Sequence, residues 1–344
     1  MFTPKFKYSD KLVSNMGIIR ELLGSLNSKS FPSTVLMELY KDARALSSYS
    51  STSIEGNPLP LTEVKRIIKS KPFNLRDSEK EVLNYNNTLL YLNKLIKNTD
   101  DLKISNDLIC TIQKMVTSEL IELSANGKYR DVPVFVNDPK LRQTVYWPPD
   151  QKDVKNLMSE LVEYVNSTEK KLDPLIIAGI FHQQFVIIHP FLDGNGRTTR
   201  LVTKIILAKL GLNTFQLFSF ENYYNNNISK YFQMVGMRGN YYDEVSSWDF
   251  TDWLEYFTDG IIDELNRVNK MLSKPNTLDE RLEDHHLKLL SLIKEESVVK
   301  DSDYAKVTDR SKGSRTLDFQ KLMNLNYIER KGDGRSTYYI LKQK

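Results

Sequence analysis

The run from Leu175 to Ile188 is apolar on nearly every side when it is drawn as a helix. A helix of that kind must be covered by other elements, so it predicts the central helix of a helical domain. The pattern breaks at His189, because Pro190 biases the residue before it away from helical geometry. We therefore expect the His189 imidazole on a loop at the end of the central helix, where it can act as a base.

The segment that follows, from Ile188 to Arg200, reads IHPFLDGNGRTTR and concentrates polar chemistry in a short span. Asp193 is a hard oxygen donor of the kind that Mg²⁺ accepts, because that ion takes one or two carboxylates together with substrate phosphates. Gly194, Asn195 and Gly196 then supply exposed backbone N–H groups. The segment predicts a loop that binds an anion and a metal ion.

A second helix is predicted to begin near Gly196 or Arg197. Its first N–H groups have no internal partner and lie at the positive end of the helix dipole, so phosphate oxygens fit there. Arg197 and Arg200 are three residues apart and share one face, where their guanidinium groups can grip phosphate bidentately. Apolar residues at helical spacing indicate this helix: Leu201, Val202, Ile205, Ile206 and Leu207.

The segment is neither a Walker A loop nor a dinucleotide fingerprint, since neither glycine pattern is present. It resembles the signature of the Fic family, H-P-F-x-[D/E]-G-N-G-R-x-x-R, and every fixed position of that pattern is filled. The resemblance implies a mainly α-helical Fic-type bundle. It also implies transfer of AMP from ATP to a hydroxyl side chain of a target protein.

The resemblance assigns roles to individual residues. His189 would take the proton from the target hydroxyl, Asp193 would bind Mg²⁺, and Phe191 would anchor the loop in the core. The residues expected to act in catalysis are His189, Asn195, Arg197 and Arg200. The residues expected to bind the nucleotide are Gly194, Asn195, Gly196, Arg197, Arg200 and Tyr231.

An upstream helix, predicted from about Ser33 to Gly56, carries a second pattern. Ser51, Glu55 and Gly56 fill the inhibitory motif [S/T]-x-x-x-E-[G/N] that many Fic proteins carry. A carboxylate at the end of a helix opposes the helix dipole, so Glu55 needs a cationic partner. We expect that partner to be Arg200, and we expect the pairing to inhibit the enzyme.

Two short extended runs, 132–136 and 145–149, surround a polar turn and predict a hairpin within residues 129–149. Pro133 cannot donate a ladder hydrogen bond, which favours an edge position. The resemblance implies that this hairpin is a flap over the active site. An extended segment of the target would add to its free edge as a further strand.

The last sixty residues differ in composition. Residues 285–344 hold 13 Lys and Arg against 8 Asp and Glu, a surplus of +5, whereas the rest of the chain holds 35 against 36. The order of helices and strands predicts a winged helix-turn-helix domain. DNA and a protein partner are equally expected, because this fold serves both. The basic residues predicted on or beside its groove-entering helix are Arg310, Lys312, Arg315 and Lys321.

The patterns divide the chain into an N-terminal helical extension (1–32), a Fic domain (33–272), a linker (273–284) and the winged-helix domain (285–344). A single cysteine, Cys110, excludes an intrachain disulfide and fits a reducing compartment. The sequence shows neither a secretory h-region nor an apolar run long enough to span a membrane. We expect a cytoplasmic protein without a membrane partner.

These observations predict a protein adenylyltransferase that uses ATP and Mg²⁺, is autoinhibited by Glu55 and modifies a target protein or itself, with a homodimer as a further expectation. Three alternatives stay open. A hydrolase that removes AMP would use Glu55 to activate water, and a DNA-binding regulator would keep the Fic site as a secondary activity. A phosphotransfer or phosphocholine variant is the third, but Doc-like kinases typically carry lysine where this chain has Gly196.

Two positions near the signature are assigned to packing. His182 lies on the central helix and is expected to be a core histidine with satisfied hydrogen bonds. Val186 departs from relatives that carry glutamate three residues before the signature histidine. We expect this departure to change local packing and to leave the chemistry unaffected.

Overall fold

Helices make up most of the computed structural model, which describes residues 2–29, 33–70, 72–98, 102–138, 143–272 and 282–342. The prediction of a mainly helical chain is confirmed. The chain separates into two units, one formed by Met1–Lys29 with Tyr40–Leu272 and the other by Ser30–Leu39 with Ser273–Lys344. Each unit is described by itself below.

The first unit is a helical body with a small sheet. It ends at Leu272, the last residue of a long helix, and it includes one helix only from Tyr40 onward. The helices that lie wholly or partly in this unit are α1 (Asp10–Asn27), α2 (Ser33–Ile54), α3 (Leu61–Ser70), α4 (Asp77–Asn98), α5 (Asn106–Val116), α6 (Gln151–Thr168), α7 (Pro174–Ile188), α8 (Asn195–Ala208), α9 (Glu221–Asn226), α10 (Ile228–Val235), α11 (Tyr241–Glu244) and α12 (Thr251–Leu272).

Helix α7 is the central helix, as predicted. All of its residues from Leu175 onward are buried except Val186, which is partly exposed, and α6, α8, α10 and α12 pack around it. The helix starts where Asp173 accepts a hydrogen bond from the Leu175 N–H, with Pro174 in the first turn. Gly179 allows α12 to approach closely, because a Cβ there would lie 2.6 Å from Leu254 Cδ2.

Helix α1 packs along α12 and so belongs to the helical body. The Asn15 amide donates to Thr258 Oγ1 at 3.0 Å and to Asp259 Oδ1 at 2.8 Å. Buried apolar residues of α1, such as Leu12 and Ile19, complete this packing. The predicted extension 1–32 therefore belongs to the first unit as far as Lys29. The segment Ser30–Leu39 belongs to the second unit.

The predicted hairpin is present as β1 (Val136–Asp138) and β2 (Gln143–Trp147), which pair antiparallel. The first strand begins later than predicted, so Pro133 precedes it, and residues 139–142 of the turn lie outside the described residues. A third strand, β3 (Gly239–Asn240), pairs parallel with β2. The sequence did not predict β3, because a strand of two residues is too short to show alternation.

From Asp284 onward, the described residues of the second unit form three helices followed by a two-stranded antiparallel sheet, in the predicted order. Its core includes Leu289, Ile293, Tyr304, Phe319 and Ile328. Most of the predicted linker, residues 273–281, lies outside the described residues. The elements are α13 (Asp284–Glu296), α14 (Asp301–Ala305), α15 (Lys312–Asn324), β4 (Ile328–Lys331) and β5 (Tyr338–Leu341).

Among the helices of the described residues, none combines the length and the apolar character that crossing a membrane requires.

Candidate active site

His189 caps the C-terminal end of α7 in a left-handed conformation, with φ of 50°. Its Nδ1 lies 3.3 Å from the Val186 carbonyl oxygen. Because a carbonyl only accepts hydrogen bonds, this contact places the proton on Nδ1 and leaves the Nε2 lone pair free. Burial lowers the pKa of His189 below its ordinary value of 6.5, so the ring is neutral at pH 7.

The contact to Val186 uses the main chain only. A glutamate at this position would present the same carbonyl to His189, so the side chain of residue 186 does not decide the tautomer. The expectation that this departure leaves the chemistry unaffected is consistent with the geometry.

The loop after His189 is held by its own side chains. The Asn195 amide accepts from the Phe191 N–H at 2.9 Å and donates to the Phe191 carbonyl at 2.8 Å. Phe191 itself is fully buried, as expected for a core anchor. Gly194 adopts φ of 79° and packs so closely that a Cβ would lie 2.7 Å from Thr117 Cγ2. These contacts fix the direction in which α8 begins.

Arg130 joins the hairpin to this loop, and sequence reasoning did not identify it. Its main-chain N–H donates to the Pro190 carbonyl at 2.9 Å, and its Nε donates to the His189 carbonyl at 2.8 Å. Its Nη2 donates to the Pro149 carbonyl at 2.6 Å, just beyond β2. One arginine therefore connects both ends of the hairpin to the histidine loop.

Arg197 lies between two carboxylates. Its Nη2 is 3.0 Å from both oxygens of Asp193, and its Nη1 is 2.8 Å from Glu81 Oε1 on α4. Glu81 also accepts from Asn57 Nδ2 at 2.7 Å. Burial raises the pKa of Glu81, and the charge of Arg197 opposes that rise. Asp193 stays nearly half exposed, whereas Arg197 is buried.

Arg200 is fully buried and contacts the end of α2. Its Nε donates to Ser51 Oγ and its Nη2 donates to the Ser51 carbonyl, both at 2.8 Å. The same Nη2 donates to Glu55 Oε1 at 2.7 Å. Burial acts to lower the pKa of Arg200, but the combined effect of Glu55, Tyr231 and Tyr85 outweighs it and the pKa is raised.

The turn that ends α2 aims Glu55 at this arginine. Gly56 adopts φ of 95° and its N–H donates to the Ser53 carbonyl, while the Asn57 N–H donates to the Thr52 carbonyl. This pair of bonds is the Schellman arrangement, which needs a residue such as glycine in the left-handed region. Glu55 Oε1 then lies so close to Gly196 that a Cβ there would be 2.1 Å from it.

Tyr231 is placed differently from what the sequence suggested. Its side chain is 1% exposed, and its hydroxyl lies 2.9 Å from His182 Nε2. Its ring stacks on Tyr224 with 4.7 Å between centroids. Burial raises the pKa of Tyr231 to about 12, and the charge of nearby Arg200 acts against that rise. In this arrangement Tyr231 packs beside Arg200, and its ring is not an open wall for a base.

His182 is a fully buried histidine with partners at both ring nitrogens, as expected. Thr203 donates its hydroxyl to the Thr199 carbonyl at 2.7 Å, so His182 Nδ1 donates to Thr203 Oγ1 at 3.1 Å. Its Nε2 is then the acceptor for the Tyr231 hydroxyl. Burial lowers the pKa of His182 well below its ordinary value, which keeps it neutral.

Residues 103–207 match the Fic/DOC family. The chain contains a Fic domain. The protein adenylyltransferase Fic of Nematostella vectensis is 32% identical over 214 residues, which is 60% of this chain and 47% of that protein. The protein adenylyltransferase fic-1 of Caenorhabditis elegans is 28% identical over 183 residues, 52% of this chain and 34% of that protein. The chain thus spans less than half the length of these relatives.

Two solved structures share the fold. A Fic family protein from Desulfovibrio desulfuricans G20 aligns with a TM-score of 0.67 at 20% identity, covering 100% of this chain and 99% of its own. Fic-1 (residues 134–508) from C. elegans aligns with a TM-score of 0.58 at 22% identity, covering 76% of this chain and 74% of its own. The first alignment includes the second unit, so the whole chain has a structural counterpart.

The structure brings together most of the residues that the sequence predicted for the site. It also shows two contacting residues that the sequence did not predict. Glu81 lies on a helix 116 positions before Arg197, and nothing in its local pattern marks it. Arg130 follows an ordinary turn. Both act through contacts that are distant in sequence, and only the fold identifies them.

Proposed function

We propose that this chain is a protein adenylyltransferase that transfers AMP from ATP to a hydroxyl side chain of a target protein. The observation that carries the proposal is the neutral His189 imidazole, whose free Nε2 lone pair lies beside the glycine loop and the N-terminal end of α8. The names of the relatives support the same activity.

The proposed reaction begins when His189 Nε2 accepts the proton of the target hydroxyl. The hydroxyl oxygen then bonds to the α-phosphorus of ATP, and the bond from that phosphorus to the bridging oxygen of pyrophosphate breaks. The N–H groups of the first turn of α8 would stabilise the negative charge on the transferring phosphoryl group. The Asn195 side chain, committed to Phe191, would contribute by holding those N–H groups in place.

Asp193 fits the role of a Mg²⁺ ligand. Its carboxylate is nearly half exposed and lies where the glycine loop enters α8. A single carboxylate is a sufficient protein ligand for Mg²⁺ when nucleotide phosphates complete the shell. When bound there, the ion would neutralise charge on the phosphates. Arg197, already 3.0 Å from both oxygens, would keep the Asp193 carboxylate oriented.

We further propose that Glu55 inhibits the transfer. Arg200 would hold the leaving pyrophosphate, but its Nη2 is engaged by Glu55 and by the Ser51 carbonyl. The Glu55 carboxylate also fills the space next to Gly196. A nucleotide phosphate at the first turn of α8 would meet a like charge there. Inhibition is released when the end of α2 moves or Glu55 is replaced.

The target is proposed to dock along the hairpin. Strand β1 lies at the edge of the three-stranded sheet, and exposed apolar side chains lie beside it at Phe135, which precedes β1, and Trp147 on β2. Main-chain pairing at such an edge makes little demand on sequence. The target could therefore be another protein or another copy of this chain.

Incubation with ATP labelled at either end tests the reaction type. Label at the α-phosphate is expected on protein, and label at the γ-phosphate is not. Transfer of γ-label would identify a kinase instead. Absence of both labels, also from the Glu55→Gly variant, would favour a regulator or an AMP-removing enzyme.

Replacing Asp193 by alanine is expected to abolish transfer and to remove the effect of Mg²⁺ on ATP binding. The reason is that the half-exposed carboxylate proposed to bind the ion is lost. Titration of ATP with and without Mg²⁺ measures this effect, and Asp252→Ala, at an exposed carboxylate on α12, serves as the control. Undiminished enhancement of ATP binding by Mg²⁺ in Asp193→Ala would show that another residue binds the ion.

For the second unit we propose a winged helix that binds an acidic partner through the exposed face of α15. Lys312 and Gln320 lie on that face. Two predicted contacts are already occupied, since Arg310 pairs with Asp318 at 2.8 Å and Arg315 pairs with Asp301 at 2.8 Å. These arginines stabilise the unit. Lys321 lies on the opposite side of α15 from Lys312, which leaves Lys312 as the candidate for a partner contact.

If the partner is duplex DNA, its affinity for the full chain should fall as salt is added, because each neutralised phosphate releases counterions. Lys312→Ala is then expected to reduce the slope of log affinity against log salt by about 0.9. Lys155→Ala, an exposed lysine on α6, should leave the slope unchanged. Affinity for DNA that does not depend on salt would argue for a protein partner.

A further inference from the structure

The start of α13 brings two consecutive imidazoles and a carboxylate together. The rings of His285 and His286 lie 4.1 Å apart between centroids, and Glu283 immediately precedes the helix. One donor atom from each of these three residues lies within 4.8 Å of the other two. The chain has four histidines in all, and these two take no part in the site built around His189.

A buried carboxylate lies on the Nε2 side of both rings. Asp318 on α15 is 1% exposed and is held by Arg310 and by the Tyr304 hydroxyl. His285 Nε2 lies 3.3 Å from Asp318 Oδ1, and His286 Nε2 lies 3.8 Å from the same oxygen. Because an ionised carboxylate only accepts, these contacts favour a hydrogen on each Nε2.

Both Nδ1 atoms then carry lone pairs, and both face Glu283. His286 Nδ1 accepts the Glu283 main-chain N–H at 3.1 Å, which confirms its lone pair. His285 Nδ1 lies 3.7 Å from Glu283 Oε2. Two acceptors that face each other at this distance can bind one cation between them.

We propose that Glu283, His285 and His286 bind a late first-row divalent metal ion, with Zn²⁺ as the probe. Metal-bound histidines commonly direct their second ring N–H toward a carboxylate, and Asp318 lies on that side of both rings, 3.3 Å and 3.8 Å from the two Nε2 atoms. Bonds of 2.0–2.2 Å in a tetrahedral site separate neighbouring ligands by about 3.3 Å. The observed 3.7 Å is close to this value, and the Glu283 side chain is 76% exposed and free to rotate.

The donor set favours some ions over others. Imidazole nitrogens suit Zn²⁺, Ni²⁺ and Co²⁺, whereas Mg²⁺ and Ca²⁺ prefer sites made of oxygen. Three protein ligands leave a fourth tetrahedral position for water. On binding, the Glu283 N–H would give up its bond to His286 and turn to solvent. The ion would then join the first turn of α13 to Asp318 through the two rings.

The test uses the full chain, stripped of metal with a chelator, and titrates Zn²⁺ against a chromophoric competitor. One equivalent is expected to bind, and Glu283→Gln, His285→Gln and His286→Gln should each weaken binding at least about tenfold. Glutamine at 283 and 286 can keep the capping-box hydrogen bonds, which protects the fold. In histidine ring NMR spectra, the signals of His285 and His286 should shift, while those of His182 and His189 stay in place.

Two variants provide the controls. Asp284→Asn removes an exposed carboxylate next to Glu283, and His189→Gln removes a histidine outside the cluster, so neither should change the affinity for Zn²⁺. The proposal is overturned if the wild-type chain binds no Zn²⁺ at micromolar concentrations. It is also overturned if the three ligand variants bind as tightly as the wild type, or if His189→Gln is the variant that loses binding.

Discussion

Replacing His189 by alanine is expected to lower AMP transfer by roughly 10²–10⁴, the usual contribution of a positioned general base. The variant loses the imidazole whose Nε2 lone pair is free at the end of α7, while Asp193 and the first turn of α8 stay in place. Its ATP affinity should therefore remain nearly normal. Measuring both the rate of AMP transfer and the affinity for ATP in this variant distinguishes loss of the base from loss of the nucleotide site. Near-normal transfer would end the proposed mechanism.

The pH dependence gives a second readout of the same base. Burial holds the pKa of His189 below 6.5, so the lone pair is available at pH 7 and is lost only when the ring is protonated below that range. Transfer by the wild-type chain should stay level as the pH falls from 8 to 7 and should decline below pH 6.5. A decline centred above 7 would assign the base to a different group.

Replacing Glu55 by glycine is expected to raise self-modification or target modification at least about tenfold. A hydrogen bond to a charged group contributes about 1.5–3 kcal/mol, and about 1.4 kcal/mol corresponds to a factor of ten. Loss of the 2.7 Å contact to Arg200 therefore shifts the balance roughly ten- to hundredfold toward an arginine that can bind pyrophosphate. Ser51→Ala should have a smaller effect, because the Ser51 carbonyl still accepts from Arg200.

A double variant distinguishes release of Arg200 from a general loosening of the end of α2. Glu55→Gly combined with Arg200→Ala should lose the gain, since the released guanidinium is the group that aligns ATP. Glu122→Gly, at an exposed carboxylate in a loop, controls for the glycine itself. An unchanged or lower rate in Glu55→Gly alone would favour the alternative in which Glu55 activates water to remove AMP.

The parts of the site that the sequence predicted well are those with short spacing. His189 ends a helix, Asp193 lies in the loop that follows, and Arg200 lies in the first turns of the next helix. Because so few residues separate them, their order along the chain nearly determines their order in space. The position of the central helix was equally predictable, because a helix that is apolar on all sides must be buried by other elements. Glu55 was reached through a motif, and its contact with Arg200 depends on the end of α2 turning at Gly56.

The parts that escaped prediction depend on contacts between distant segments. The pairing of Glu81 with Arg197 and the hydrogen bonds from the Arg130 guanidinium to the His189 and Pro149 carbonyls join segments that are distant in sequence, so they can be identified only from the fold. The burial of Tyr231 against His182 is a similar case, because the aromatic residues around it fit equally well in a core or in a nucleotide wall. Strand β3 has two residues and no periodicity from which to read it.

The left-handed backbone of His189 also has a consequence for thermal stability. A side chain in that conformation costs roughly 1–2 kcal/mol, and glycine is the residue that usually occupies such a helix end. This cost is an appreciable part of the 5–15 kcal/mol that holds a typical domain together. Evolution toward greater stability alone would place glycine there and eliminate the base. At this position, the substitution that would raise thermal stability would remove catalytic activity. A more stable form of the protein must therefore gain its stability elsewhere in the chain.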